Sequence, residues 1–177
     1  MCPQYGCCGY HSPSQNLVNA FRTVNGLPDF DNFNTIDIGG RARVLKYTID
    51  PRLLHTVAMD STPYKYDPTF LFNGQTWTRQ PQSYGLFMSM KECVLYSSSC
   101  YQPVNPWKGS SLNRDVIRVD DVILWKAEAL IQLNRQSEAL PLINQIRARA
   151  ANSTELLVDS VGNPTGNFDV KPYIDGV

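Results

Sequence analysis

Apolar residues between Arg114 and Ala150 recur at steps of three and four, the spacing of one face of a helix. The pattern predicts two amphipathic helices joined by a short polar turn, with Pro141 distorting the start of the second. Neither helix buries its apolar face alone, so each is expected to pack on the other and on further structure. A helical hairpin of this length is the unit of tetratricopeptide-like arrays. The predicted faces comprise Val116, Val119, Ile123, Ala127, Leu130 and Ile131, then Ala139, Leu142, Ile143, Ile146 and Ala150.

The residues before the hairpin predict short elements separated by long loops. Residues 14–21 predict a helix that Ser14 or Asn16 caps, that Asn25-Gly26 ends, and whose apolar face is Leu17, Ala20 and Phe21.

Asp50-Pro51 predicts the start of a helical turn that passes into a strand before Met59, and residues 84–94 alternate as a strand does. Proline and Asn-Gly punctuation predicts loops over 61–82 and 97–113. The expected class is mainly α with long loops and a few short strands. The expected divisions are a loop-rich region 1–113, a helical hairpin 114–151 and a polar tail 152–177.

Composition narrows the possible functions. The formal net charge is zero and the basic residues are scattered, so the chain lacks the footprint of a nucleic-acid-binding protein. It contains no apolar run long enough to span a membrane, and its first residues do not resemble a signal peptide. Aromatic residues make up 11% and there are 12 prolines, which suits either loops that bind by stacking or a large aromatic core.

Two groups of potential ligands leave alternatives open. The five cysteines lack the spacing of a zinc site, while Cys93 and Cys100 could form a disulfide or remain thiols. Oxygen-bearing side chains crowd the loop between Asp29 and Asp37 and suggest calcium. Phe33 stands where an EF-hand-type loop needs a ligand, so a solvated Asx-rich turn is favoured over a calcium site.

Several blocks then occur in the order of a known family. The family shows a P-T-Q-N-L-V-D-A-F segment, a D-P-R-L block, an R-x-A-D-V-x-L-x-x-A-E-A run, an E-A-L step and an I-N-x-V-R-x-R-A ending. This chain has matching blocks at residues 14–21, 50–53, 116–129, 138–140 and 143–150, with departures at Asp120 and Trp125-Lys126. It therefore resembles the SusD/RagB family of glycan-binding outer-membrane lipoproteins.

The resemblance implies a tetratricopeptide-like α–α superhelix that binds oligosaccharides at the cell surface. It implies delivery of the glycan to a SusC-type TonB-dependent transporter, with no bond broken and no cofactor. It also implies a signal peptide, a lipidated cysteine, earlier helices and a closing helix that this sequence does not show. The expectation is a C-terminal-half fragment without the last helix, attached to the outer membrane through an anchor outside it.

Candidate glycan contacts lie on the proline-rich loops, because the family places its ligand contacts in variable loops. Sugars present C–H faces to flat aromatic rings and hydroxyls to polar neighbours. The candidates are Trp77, Arg79, Tyr101, Gln102 and Trp107. The alternative is that each ring plugs a loop onto the helical layer. The sequence does not specify which glycan is bound.

The sequence gives less support to two other functions. Catalysis would need a constellation such as paired carboxylates, but Asp120 and Asp121 diverge by about 100° around a helix and Glu128 falls in the helical motif. His11 and His55 lack a recognisable nucleophile motif, so no enzyme activity is predicted. The remaining alternative is a tetratricopeptide-type scaffold that binds peptides or proteins.

Overall fold

The computed structural model of this protein describes residues 12–91, 94–104 and 109–174. Helix accounts for 36% of the structure, which is compatible with the predicted mainly α class. The helices in the described ranges are α1 (Gln15–Asn19), α2 (Arg41–Lys46), α3 (Arg52–Thr56), α4 (Gly74–Trp77), α5 (Pro81–Tyr84), α6 (Val119–Gln132) and α7 (Gln136–Ala151). A 3₁₀ turn spans Phe33–Thr35. None of these helices is long and apolar enough to cross a membrane.

The strands are short and pair two by two. They are β1 (Thr23–Val24), β2 (Leu27–Pro28), β3 (Thr48–Ile49), β4 (Val57–Ala58), β5 (Pro63–Tyr64), β6 (Asp67–Leu71), β7 (Met88–Ser89), β8 (Tyr101–Gln102), β9 (Gly109–Ser110) and β10 (Asn167–Phe168). The antiparallel pairs are β1–β2, β4–β7, β5–β6 and β8–β9, and β3–β10 is parallel. The parallel pair brings the tail back beside the segment that leads into α3.

The predicted helical hairpin is confirmed as α6 and α7, and small residues allow the two helices to approach closely. Ala127 on α6 and Ala139 on α7 are 2% and 1% exposed, and they form a core with Leu130. Asn134 turns the chain between the helices with a φ of 59°. Val116 and Val119, the first members of the predicted face, are exposed instead. Packing therefore covers the middle of the hairpin and not its entry.

Pro141 lies inside α7 and the helix continues through it. The missing N–H removes the bond to the Ser137 carbonyl, which normally costs several kcal/mol in a helix interior. Ser137 and Pro141 are both exposed, so water can bind the Ser137 carbonyl in place of the missing donor.

The first helix is shorter than predicted and buries a different face. Ser14 Oγ accepts a hydrogen bond from the Leu17 amide, which confirms the Ser14 cap. However, Leu17 is exposed, while Val18 and Asn19 are buried. The Asn19 amide sets this orientation, because its oxygen accepts from the Ile38 amide at 2.9 Å and its nitrogen donates to Asn34 and Asp37 at 3.0 Å.

The prediction that Asn25-Gly26 ends the first helix was wrong, because the helix ends at Asn19. The pair forms the turn of the β1–β2 hairpin, with φ values of 54° and 82°. These values match the turn type that Asn-Gly favours in two-residue hairpins. A side chain at Gly26 would also collide with Lys171, whose Cγ lies 2.5 Å from the position of a Cβ.

The prediction of a continuous loop over 61–82 was wrong. The segment contains β5, β6, α4 and the start of α5. Asn73 caps α4 by accepting from the Gln75 and Thr76 amides. Left-handed backbone at Gln80 and a positive φ at Gly85 bracket α5. The strand predicted over 84–94 is confined to β7 in the described residues.

Two further cores lie beneath the loops. The larger one joins α1, α2, α3 and the tail through residues such as Val18, Val44, Leu53 and Leu157. The second, here called the aromatic core, consists of Ala58, Tyr64, Phe72, Met88 and Met90, with Tyr66, Phe70, Trp77 and Leu95 packed against it.

The tail predicted as merely polar is held against α7 by two residues of the family-like motif. Arg147 is buried, and it donates from Nε to the Lys171 carbonyl at 2.6 Å and from Nη2 to the Gly26 carbonyl at 2.7 Å. Its guanidinium also lies 4.3 Å from the centre of the Tyr173 ring. Asn144 exchanges hydrogen bonds with the Tyr173 backbone at 2.7 and 2.8 Å. The motif thus joins the hairpin to the rest of the molecule.

Candidate functional site

Trp77 lies in the aromatic core, which limits the surface of its ring that a ligand could reach. Its ring centre lies 4.8 Å from that of Phe70, 5.2 Å from Phe72 and 5.4 Å from Tyr64. The residue is half-buried, and Arg79 follows it on an exposed stretch. This position matches the alternative in which the ring plugs a loop. Contact of Trp77 or Arg79 with a glycan stays a prediction.

Tyr101 and Gln102 lie together on β8, in the β8–β9 hairpin. The ring of Tyr101 meets that of Tyr96 edge to face, with the centres 4.9 Å apart and the planes at 77°. Tyr96 is 50% exposed and Gln102 is exposed. We call Tyr96, Tyr101 and Gln102 the tyrosine corner platform. Sequence reasoning missed Tyr96, and the available signal was that it shares a serine-rich loop with Tyr101.

Trp107, the last sequence-predicted contact, lies outside the described residues.

A groove rich in positive charge adjoins the same β8–β9 hairpin through Ser110 of β9. Its volume is about 510 Å³, and we call it the cationic groove. Four cationic side chains and one carboxylate line it: Lys65, Lys91, Arg114, Arg118 and Asp115. His55, Tyr66, Met90, Ser110, Leu112 and Asn113 complete the wall.

The two lysines of the groove are crowded by other cations. Burial lowers the pKa of Lys65, and the charge of Lys91 lowers it further. Burial also lowers the pKa of Lys91, with added repulsion from Arg118 and Arg149. Lys65 donates from Nζ to the Met90 carbonyl. No carboxylate of the described residues forms an ion pair with either lysine.

A second cavity, of about 900 Å³, lies between α2 and the turn after α5. Its apolar wall includes Leu45, Leu86, Phe87 and the exposed ring of Tyr84. Arg41 on its rim pairs with Asp159 at 2.6 Å. Sequence reasoning missed this cavity because it did not predict α2.

The carboxylates considered for catalysis have structural partners. Asp120 pairs with Arg149 of α7, which ties the two helices together. Asp121 accepts from the Arg118 amide at 2.8 Å and completes the cap of α6. In the Asp29–Asp37 loop, Asp29 pairs with Arg22 and Asp37 accepts from Asn19. These oxygens are occupied by protein donors.

His55 serves as a bridge between loops. Its Nε2 lies 2.7 Å from the Ser153 carbonyl, so that nitrogen carries the hydrogen and donates. Its Nδ1 then accepts from the Tyr66 hydroxyl at 2.9 Å. Burial lowers the pKa of His55, which favours this neutral form. His11 lies outside the described residues.

The cysteine alternatives remain open. Cys100 is half-buried beside β8, while Cys93, its suggested partner, lies outside the described residues. A disulfide between them stays a prediction.

The comparison with protein families agrees with the motifs in the sequence. A sequence model of the SusD family matches residues 2–160, which is most of the chain. A comparison with curated proteins finds no significant match. The chain therefore belongs to the SusD family. Members of this family bind carbohydrate without catalysis and are generally associated with the surface of the outer membrane.

Proposed function

We propose that this protein binds oligosaccharides at the cell surface and delivers them to a SusC-type TonB-dependent transporter, without breaking a bond. The observation that carries the proposal is the family match over residues 2–160. Outer-membrane attachment through a lipid anchor is part of the same proposal.

The tyrosine corner platform is the place where we propose that a sugar ring is bound. The ring of Tyr96 is half exposed beside Tyr101, and a pyranose ring can pack its C–H groups against an exposed aromatic face. Gln102, the next residue of β8, is exposed, and its amide supplies a donor and an acceptor on the same hairpin, as sugar hydroxyls need. Trp107, Trp77 and Arg79 remain proposed as further contacts.

Affinity electrophoresis in gels that contain a panel of polysaccharides tests the proposal. We expect retention of the wild-type protein by at least one polysaccharide. Tyr101→Ala should weaken binding roughly 3- to 10-fold, since a stacked ring contributes on the order of 1 kcal/mol beyond its buried area. Phe30→Ala is the matched control, because Phe30 is an exposed ring on a different loop and should not alter retention. Equal retention of the Tyr101→Ala variant would remove the platform from the site.

A protein-interaction scaffold is the second candidate function. It is favoured by the exposed apolar side chains of α6, which include Val119, Val122 and Trp125. Tight binding of a peptide together with failure to bind any polysaccharide in the panel would replace the glycan proposal with this one.

A further inference from the structure

The cationic groove and the tyrosine corner platform share one hairpin. Tyr101 on β8 is the direct cross-strand partner of Ser110 on β9. Residues directly opposite each other in an antiparallel pair project to the same face. Ser110 belongs to the wall of the groove, so the groove begins where the platform ends.

The electrostatics of the groove favour an anionic ligand. Four cations face one carboxylate, although the chain as a whole is neutral. Arg118 shares its charge with Asp121, whose oxygen lies 3.7 Å from its Nε, and Arg149 beside Lys91 is paired with Asp120. Lys65 and Lys91 therefore carry the charge that no described carboxylate neutralises. An anion placed between them would relieve their mutual repulsion.

The shape of the groove also fits a sugar substituent better than a bare ion. A volume of about 510 Å³ accommodates a monosaccharide, and Tyr66, Met90 and Leu112 give it apolar patches beside the charges. Ser110 and Asn113 add polar groups that suit hydroxyls.

From this juxtaposition we propose that the cationic groove binds an acidic sugar residue, one that carries a carboxylate or a sulfate ester, with the adjoining sugar on the tyrosine corner platform. The ligand class of the protein is then an acidic oligosaccharide. This inference rests on the proposed function and specifies its substrate.

Isothermal titration calorimetry with trigalacturonate and with its carboxyl-reduced form tests the role of charge on one sugar backbone. A sulfated galactan oligosaccharide of equal length distinguishes sulfate from carboxylate as the preferred group. We expect the wild-type protein to bind one acidic form about tenfold more tightly than the neutral form, and this advantage should shrink as salt increases.

The double variant Lys65→Met, Lys91→Met should lose the advantage of the acidic ligand. The control variant Lys46→Met, Lys126→Met loses the same charge at exposed positions outside the groove. It should retain the affinity advantage of the acidic ligand. Because Lys65 also binds the Met90 carbonyl, Lys91→Gln alone is a second variant that spares this contact. It should lose part of the advantage with an unchanged unfolding transition.

Equal affinity for acidic and neutral forms would overturn the inference and leave the proposed function intact. An acidic advantage that persists in both groove variants would overturn it as well. If neither form binds, the inference also fails, and retention by the neutral polysaccharides of the panel then decides whether the proposed function fails with it.

Discussion

At the residue scale, the family-like motifs serve the fold rather than the ligand. Asn19, Asn144 and Arg147 each fix a separate segment of backbone by hydrogen bonds from a buried or half-buried side chain. Buried polar groups of this kind are costly when they lose their partners. These motif residues are therefore needed for the architecture, and we propose that the ligand contacts lie in the loops.

Arg147→Met should test this role on α7. The variant keeps much of the side-chain volume but removes the donor to the Lys171 carbonyl and one of the two donors to the Gly26 carbonyl, which keeps the Lys171 amide. We therefore expect a loss of about 1–3 kcal/mol in the free energy of unfolding. Arg149→Met, two residues along, removes an exposed pair with Asp120 and should cost less than about 1 kcal/mol. Urea unfolding measures both, and equal losses would contradict the structural role of Arg147.

His55 predicts a pH dependence of stability. Its pKa in the folded protein is lowered, so below the ordinary value of 6.5 the unfolded chain binds a proton first. The free energy of unfolding should be constant with respect to this group above about pH 6.5. At lower pH the free energy of unfolding should decrease, by at most about 1.4 kcal/mol per pH unit, until the pKa of His55 in the folded state is passed.

His55→Gln provides the comparison, because glutamine keeps a donor and an acceptor but does not titrate. Urea unfolding between pH 7.5 and pH 5.5 should give a flatter profile for the variant than for the wild-type protein. Parallel profiles would assign the pH dependence to other groups.

At the scale of elements, the α6–α7 hairpin depends on small residues at the helix contact. Ala127→Leu adds volume where α6 meets α7 and should lower the free energy of unfolding by about 1–3 kcal/mol. Ala129→Leu places the same side chain on the exposed face of α6, and the change should stay within about 0.5 kcal/mol. Thermal unfolding followed by circular dichroism distinguishes the two, and similar melting temperatures would contradict the assigned packing.

The length of an element decides whether the sequence alone predicts it. The hairpin was predicted because 14 and 16 residues of helix repeat the apolar period several times. Elements such as α2, α4 and the strand pairs last for two to six residues, which is too short for a period to show. They form because tertiary contacts and caps such as Asn73 select them.

At the scale of the whole molecule, the position of the tail is also set by tertiary contacts that the sequence pattern does not reveal. Residues 152–177 contain no apolar period, yet Arg147, Asn144 and the parallel β3–β10 pair bind part of them to distant segments. For the candidate site, the sequence predicted Tyr101 and Gln102. It did not predict Tyr96 or the cationic groove, since Lys65, Lys91 and Arg118 converge only through the fold.

We propose that the hairpin and the family motifs hold a loop surface that binds carbohydrate. The tyrosine corner platform and the cationic groove lie side by side on that surface.

Calorimetric titration of the wild-type protein and the Tyr101→Ala variant, with an oligosaccharide derived from the best-retaining polysaccharide, is the decisive test of this proposal. We expect saturable binding that weakens in the variant while the unfolding transition stays unchanged. Absence of binding to every oligosaccharide tested, or equal affinity of the two proteins, would contradict it.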